Sequence, residues 1–542
     1  MIVIYLYLIS FSLIGYGIIV SKYLSINVKC FGIYGILGIT FIGIISYLSS
    51  IFISHNMIFN SSILLIGLSL FLYYSISITN FKRELLLLCI ICFITIIFIL
   101  VAKNHDDFPY YHFPYISLLT EYSHPIGIGA LNNGFRSPSS IFFISSMFYL
   151  PKSGIFLFHL TPAFILIFAN IVLLKMIFDK KIFLENKFYN FYSLFAFSFI
   201  NIFFYRLAEH GTDRSGMIIL LISFVYLIYI CSLSKKLDKN SIDFFKIFII
   251  LIFFVVSIKP FYLINLALFA IIFYNGYTRE IFTKLLFTPV FFYSLSFLFF
   301  TFFFTFLNSG CLIFPLTPTC FYNFDWSLNK EMIQDVKVWF ELWSKSGARP
   351  NFVVENRIEY ISNFTWLSSW FQNYFFNKVS DFLLGLTFTI LVFYLIFFKF
   401  YPKKKIKTNN LHLFYIFLIF CLVEWFLNHP SLRYGGYHIL ALIFFIPACT
   451  HLSKLQFKFE DYYKKALVLV LVVMTIFISR NIQRLTNENK LYDYNIIENS
   501  NFKFIGGDKN FYFRYNNHMK ERRGKIYQKN FFGKKVLVLS NK

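Results

Sequence analysis

The chain has 542 residues, of which 58% are hydrophobic, 22% aromatic and only 14% charged, and its formal net charge is +24. A soluble domain is nearer a quarter charged, so the composition excludes a soluble enzyme with a single anchor and points to an all-α, polytopic transmembrane protein of about 12–14 spans. The basic excess does not imply a nucleic-acid partner: no RNA- or DNA-binding module is visible, and lysines gathered in short loops that set membrane orientation account for it.

In chain order, Ile2–Val20, Gly32–Ile53 and Ile63–Ile78 are the first apolar stretches and form an N-terminal group of extra helices, residues 1–80. Lys22 and Lys29 assign the first connection to the cytoplasm, and Lys82 and Arg83 do the same for the third. The fourth stretch, Leu85–Val101, therefore leaves on the outer face. Cys89 and Cys92 lie inside it as C-x-x-C, but with no second ligand pair they read as core thiols, not a zinc site. It opens a first outer loop, residues 103–153, on the polar run Asn104-His105-Asp106-Asp107-Phe108-Pro109-Tyr110-Tyr111-His112. Carboxylates at a membrane boundary are costly and are usually functional. Pro109 to Glu121 reads as a short surface helix, residues 125–134 as turns, and Ile141–Leu150 as a stretch too short to span.

A core of residues 81–307 continues through Gly154–Leu174, Phe191–Tyr205 and Met217–Ile230. Between the last two lies a short outer loop with Glu209, His210, Asp213 and Arg214. Lys259-Pro260 interrupts the next apolar stretch and predicts a broken or tilted pair. Residues 308–381 form a large outer loop with five of the six tryptophans. These read as an interfacial aromatic belt or as stacking platforms for sugar or lipid. Cys311 and Cys320 share that loop, where two prolines between them and Gly310 before them favour a turn that would allow a disulfide. Residues 382–479 are C-terminal transmembrane helices, interrupted on the outer side by a loop with Arg433 and His438. The remainder, 480–542, is a polar, basic tail with a short strand expected at Val536–Leu539.

The outer clusters suit sugar transfer from a lipid-linked donor. An acceptor hydroxyl needs a positioned carboxylate base, and a departing lipid phosphate needs Arg or Lys. Asp107 is the first choice of base and Asp106 the second, because adjacent residues point apart. Arg136, Arg214, Lys259 and Arg433 are candidate phosphate ligands. His105, His112, Glu209, His210, Asp213 and His438 complete the candidate substrate site. No cofactor is required by the sequence, although Asp107 and Glu209 are candidate ligands for a divalent cation such as Mg or Mn.

Residues 85–233 resemble the shared module of the GT-C superfamily of polyprenyl-phosphate-sugar-dependent glycosyltransferases. They have a span, an acidic motif (His105-Asp106-Asp107) opening an outer loop with surface helices, two further spans, and a second acidic loop from Glu209 to Asp213. The stretch is also similar to uncharacterised bacterial multi-pass proteins with an Asp-Asp-Phe/Tyr-Tyr-His motif. The acidic loop follows the fourth span here, where the superfamily has it after the first. The resemblance implies one of Asp106 and Asp107 as the catalytic carboxylate. It also implies a polyprenyl-phosphate-linked sugar donor, a glycan or lipid acceptor in the cell envelope, and a site on the outer, periplasmic face of a bacterial inner membrane. Two alternatives stay open: an O-antigen polymerase or ligase, which would lean on Arg433 and the 308–381 loop, and a polysaccharide or lipid transporter, for which Glu424 is the one plain mid-membrane charge.

Overall fold

A computed structural model describes residues 1–28, 30–75, 80–100, 107–207, 211–232, 239–274, 276–349, 352–397, 411–456, 458–492, 526–531 and 534–539. His105, Asp106, Glu209, His210 and the lysine run at 403–407 lie outside the described residues.

The protein is an all-α polytopic helical bundle. Among the described residues, ten helices are long and apolar enough to cross a membrane. An eleventh span is formed if Pro260–Tyr274 and Thr278–Leu285, bent by 119°, count as one broken crossing. Three more apolar helices, Phe81–Ile99, Phe188–Phe203 and Lys239–Ile258, pack among them. The only strands among the described residues form an antiparallel hairpin, Ile526–Phe531 with Lys534–Leu539.

Small residues draw the first three helices together. A Cβ at Gly17 would sit 1.7 Å from the Tyr34 carbonyl oxygen, and one at Gly38 would sit 1.8 Å from that of Leu13. Only glycine permits so close a backbone approach. The Ile155–Ile177 and Thr212–Cys231 helices form the buried centre, whereas Met57–Ser75, Trp366–Phe397 and Leu411–Asn428 leave most of their apolar surface uncovered, as lipid-facing helices do. In the centre, Asn170 and Asn201 donate to each other's side-chain oxygens at 3.2 and 2.8 Å, so two buried polar groups satisfy one another between helices.

Polar contacts sort the connections onto two opposite ends. At one end, Glu84 meets Lys175, Asp243 accepts the Asn27 amide, Lys246 donates to the Leu24 and Ser25 carbonyls, and Lys187 donates to that of Leu455. At the other, the His55 amide donates to the Leu119 carbonyl, Gly127 to Leu307, and the Trp370 indole to Pro430. The second end holds residues 54–56, the loop after Asp107, the start of 308–381 and the turn at 430–434; it is called the site face below.

Three elements differ in extent from the sequence pattern. Within the stretch 141–150, read as too short to span, the helix is only Ser140–Ser146, and all of its residues are buried. The last helix runs from Phe459 to Tyr492, well into the basic tail, because Arg480 and Arg484 bond the Ile202 and Tyr205 carbonyls and Glu488 lies one turn further on. The 308–381 stretch is helical from Trp366 and runs without a break into the following span.

Candidate functional site

The turn after Asp107 is shaped by two prolines. Pro114 has no amide hydrogen to return to the Tyr110 carbonyl, and Asn132 donates to that carbonyl instead, at 2.9 Å. The chain takes a π turn, Phe108–His112, closed by the Phe113 amide on the Phe108 carbonyl. Such wide turns concentrate at functional sites. Asp107 stands at the head of this turn, and its side chain does not cap it.

Asp213 lies in the first turn of the Thr212–Ser232 helix, where the helix dipole favours a carboxylate. The Tyr262 hydroxyl donates to its carbonyl at 2.7 Å. The Tyr262 ring lies so close to Gly216 that a Cβ there would meet it at 2.3 Å. Lys259 follows the last turn of Lys239–Ile258, and Pro260 holds it extended (φ −152°, ψ 125°).

Arg433 sits in a single 3-10 turn, Leu432–Tyr434, ended by Gly435 in the left-handed region at φ 102°. Three aromatic groups fix the backbone just before it. Trp370 donates to Pro430 at 2.7 Å and Trp425 to Ser431 at 2.8 Å, while the Tyr374 hydroxyl accepts the Leu432 amide at 2.8 Å.

These four segments converge. Arg433 Nη2 meets Asp107 Oδ2 at 2.7 Å and Arg433 Nε meets Asp213 Oδ2 at 3.1 Å. Lys259 Nζ is 3.3 Å from Asp213 Oδ1. The guanidinium lies 5.5 Å from the Trp343 ring and 5.7 Å from the Tyr434 ring. The four charged side chains are 12–30% exposed, so the cluster is neither sealed nor free on the surface. Burial works against the Arg433 charge, but Asp213 and then Asp107 overcome it and push the guanidinium pKa well above its ordinary value. Burial and the nearby Asp107 carboxylate push the Tyr111 hydroxyl well up, keeping it neutral.

A family model described as Domain of unknown function (DUF8201) matches residues 1–440. The chain belongs to this family. No curated protein and no solved structure matches it. The DUF8201 region contains Asp107, Asp213, Lys259 and Arg433 and stops short of the final helix and the hairpin.

The other sequence-predicted residues stand apart from the cluster or outside the described residues. Arg136 is buried, donates to the Gly129 carbonyl at 3.2 Å, and lies against Met332 and Phe314 of the second large loop. Arg214 stacks its guanidinium 5.7 Å from the Phe204 ring. His112 is buried among Tyr111, Phe142 and Phe108. His438 is buried with its ring 6.0 Å from that of Tyr262. Cys311 and Cys320 are joined by a disulfide. Sequence reasoning did not single out Tyr434, Tyr111 or Tyr262, and it read Trp343 only as one of the five loop tryptophans. The one available signal was Tyr434 beside Arg433; Trp343 carries no local mark of its contact.

For a divalent cation the described donors fit poorly. Arg433 bridges Asp107 and Asp213, Lys259 adds a second positive charge, and no group of three acidic, histidine or cysteine side chains gathers as ligands among the described residues. What this arrangement offers chemically is a pair of carboxylates and a pair of cations at one end of a membrane bundle.

Proposed function

We propose that the protein is a membrane glycosyltransferase that moves a sugar from a polyprenyl-phosphate-linked donor to a glycan or lipid acceptor, with its site on the outer face of a bacterial inner membrane. The observation that carries this reading is the Asp107–Arg433–Asp213–Lys259 cluster at one end of the bundle. Among the described residues Arg433 Nη1 has no hydrogen-bond partner, and the side chain is 30% exposed, so one side of the guanidinium remains available to an anion.

In this reading the donor phosphate binds at Arg433 Nη1 and Lys259 through charge-assisted hydrogen bonds. Competition for Arg433 loosens its hold on Asp107, whose carboxylate then takes the proton of the acceptor hydroxyl. The acceptor oxygen bonds to the anomeric carbon. The bond from that carbon to the phosphate oxygen breaks, and the electron pair leaves with the lipid phosphate, whose charge Arg433 and Lys259 stabilise. Asp213 keeps both cations in place. Trp343 lies over the guanidinium and limits water.

The test is complementation of cells lacking the gene. Asp107→Asn keeps shape and membrane insertion and loses the glycan or glycolipid that the wild type restores. Full restoration by Asp107→Asn ends this reading. The O-antigen polymerase or ligase reading draws on the stacking of Trp343, from the 308–381 stretch, on Arg433; it requires loss with Arg433→Ala and none with either aspartate variant.

A further inference from the structure

The loop that follows the Pro289–Ser309 helix has no place in the chemistry above. From Gly310 to Phe324 it contains no Asp, Glu, Lys or Arg. It is a folded element: Cys311 and Cys320 are bonded, the Leu312 amide donates to Thr319, and the Phe321 amide donates to Gly310. Yet it presents its large apolar side chains outward, with Leu316 44%, Phe321 49% and Tyr322 41% exposed. A stapled loop that turns aromatics away from its own core is built to meet something apolar.

The preceding helix says what that is. Phe292, Leu295 and Phe299 are exposed at helical spacing along one side of this span, which makes that side the lipid-facing stripe. Phe303 stacks on Phe299 at 5.7 Å and extends it. Phe306, at the site-face end, contacts Phe324 at 5.2 Å and Phe321 at 5.9 Å. The stripe therefore runs without a polar break from the bilayer-facing helix into the loop. Trp326 lies 4.8 Å from Phe324 and donates its indole hydrogen to the Phe306 carbonyl, tying the far end of the loop to the same helix turn. Aromatic side chains of this kind settle at the headgroup level.

We propose that the disulfide-closed loop 310–324 is a membrane-seated finger whose partner is the lipid of the leaflet on the site face. The proposal does not depend on the sugar-transfer reading. The finger also carries the next element. Ile333 and Val336 of the Lys330–Lys345 helix share an apolar cluster with Cys311 and Phe314, and a further two turns along the same helix Trp343 lies on Arg433. Seating the finger in lipid thus fixes one end of the helix that crosses the site.

The test uses the full-length protein in phospholipid vesicles. A tryptophan is introduced by Phe321→Trp, an aromatic exchange at an exposed position, and for comparison by Asp335→Trp on the exposed side of the Lys330–Lys345 helix. The emission that each variant adds to the parent protein is measured with acyl-chain-dibrominated lipid, and separately with iodide on both sides of the membrane. The proposal expects the emission added at 321 to be lost in dibrominated vesicles and kept in iodide, with the reverse at 335. Loss in iodide at 321, or loss with neither quencher, overturns it: the first places the finger in water, the second against protein.

Discussion

Two carboxylate clusters stand at opposite ends of the bundle, and they use their charges differently. At the end away from the site, Glu84 spends both oxygens: Oε1 takes Lys175 Nζ at 2.6 Å and Oε2 takes the Phe31 amide at 2.9 Å. That second bond caps a helix whose own N-cap residue, Cys30, offers no side-chain bond. At the site face, two carboxylates compete for one guanidinium, and among the described residues Arg433 still has a nitrogen to spare. The first arrangement joins three segments and is complete. The second holds unused hydrogen-bonding capacity in a part-exposed setting, which is costly as scaffolding and useful for an anionic ligand.

The comparison breaks most clearly at Asp107. Asp107→Asn is expected to lower transfer by about 100- to 10,000-fold while membrane levels of the protein stay at wild type, measured by glycan output and by immunoblot of the membrane fraction. Arg433→Ala removes the cation from between two carboxylates. It is expected to lower transfer by about 100- to 1000-fold and also to cost about 2–3 kcal/mol of stability, a buried-pair loss reduced for partial exposure. Thermal unfolding in detergent reads the stability change, and a second substitution, Asp213→Asn, should recover part of it.

Glu84→Gln sharpens the contrast from the other end. It leaves Lys175 without its carboxylate partner and weakens the cap, at about 3 kcal/mol, with transfer per folded molecule unchanged. Transfer lost in proportion to Asp107→Asn would mean that the two clusters are not separable.

The smallest effect is one of pH. His55, on the site face, is bonded to Ser146 at 2.6 Å and Ser49 at 2.9 Å, and burial lowers its pKa from 6.5 to about 4. The unfolded chain takes up a proton near 6.5 and the folded one only near 4, so stability is lost as pH falls through that window. By pH 5 the loss is about 2 kcal/mol. His55→Gln should flatten the unfolding curve between pH 7 and pH 5 if this group carries it.

The bundle was largely legible in the sequence, because apolar length and lysine-rich loops are local signals that need no partner. Asp107, Asp213, Lys259 and Arg433 each stood out singly as a polar residue at the end of an apolar run. Their meeting did not, since which helix ends become neighbours depends on packing across the whole bundle. The loop tryptophans were read as a belt or as stacking platforms for sugar or lipid. Trp370 instead fixes the backbone that presents Arg433, Trp343 covers its charge, and Trp366 is buried 5.2 Å from Lys345. Those roles depend on a hydrogen-bond donor or a ring face meeting a group far away in the chain, and composition carries no trace of that.

Arg433 is 326 residues beyond Asp107 and 220 beyond Asp213. At about 5–20 residues per second of synthesis, the second gap alone amounts to roughly 10–40 s. Throughout that interval the ribosome has delivered both aspartates to the membrane, and the arginine that draws them together does not yet exist. Growing chains and prematurely terminated ones therefore carry Asp213 with Lys259 beside it, and Asp107 without its guanidinium. The centre cannot close until the chain has been made to the turn at 432–434.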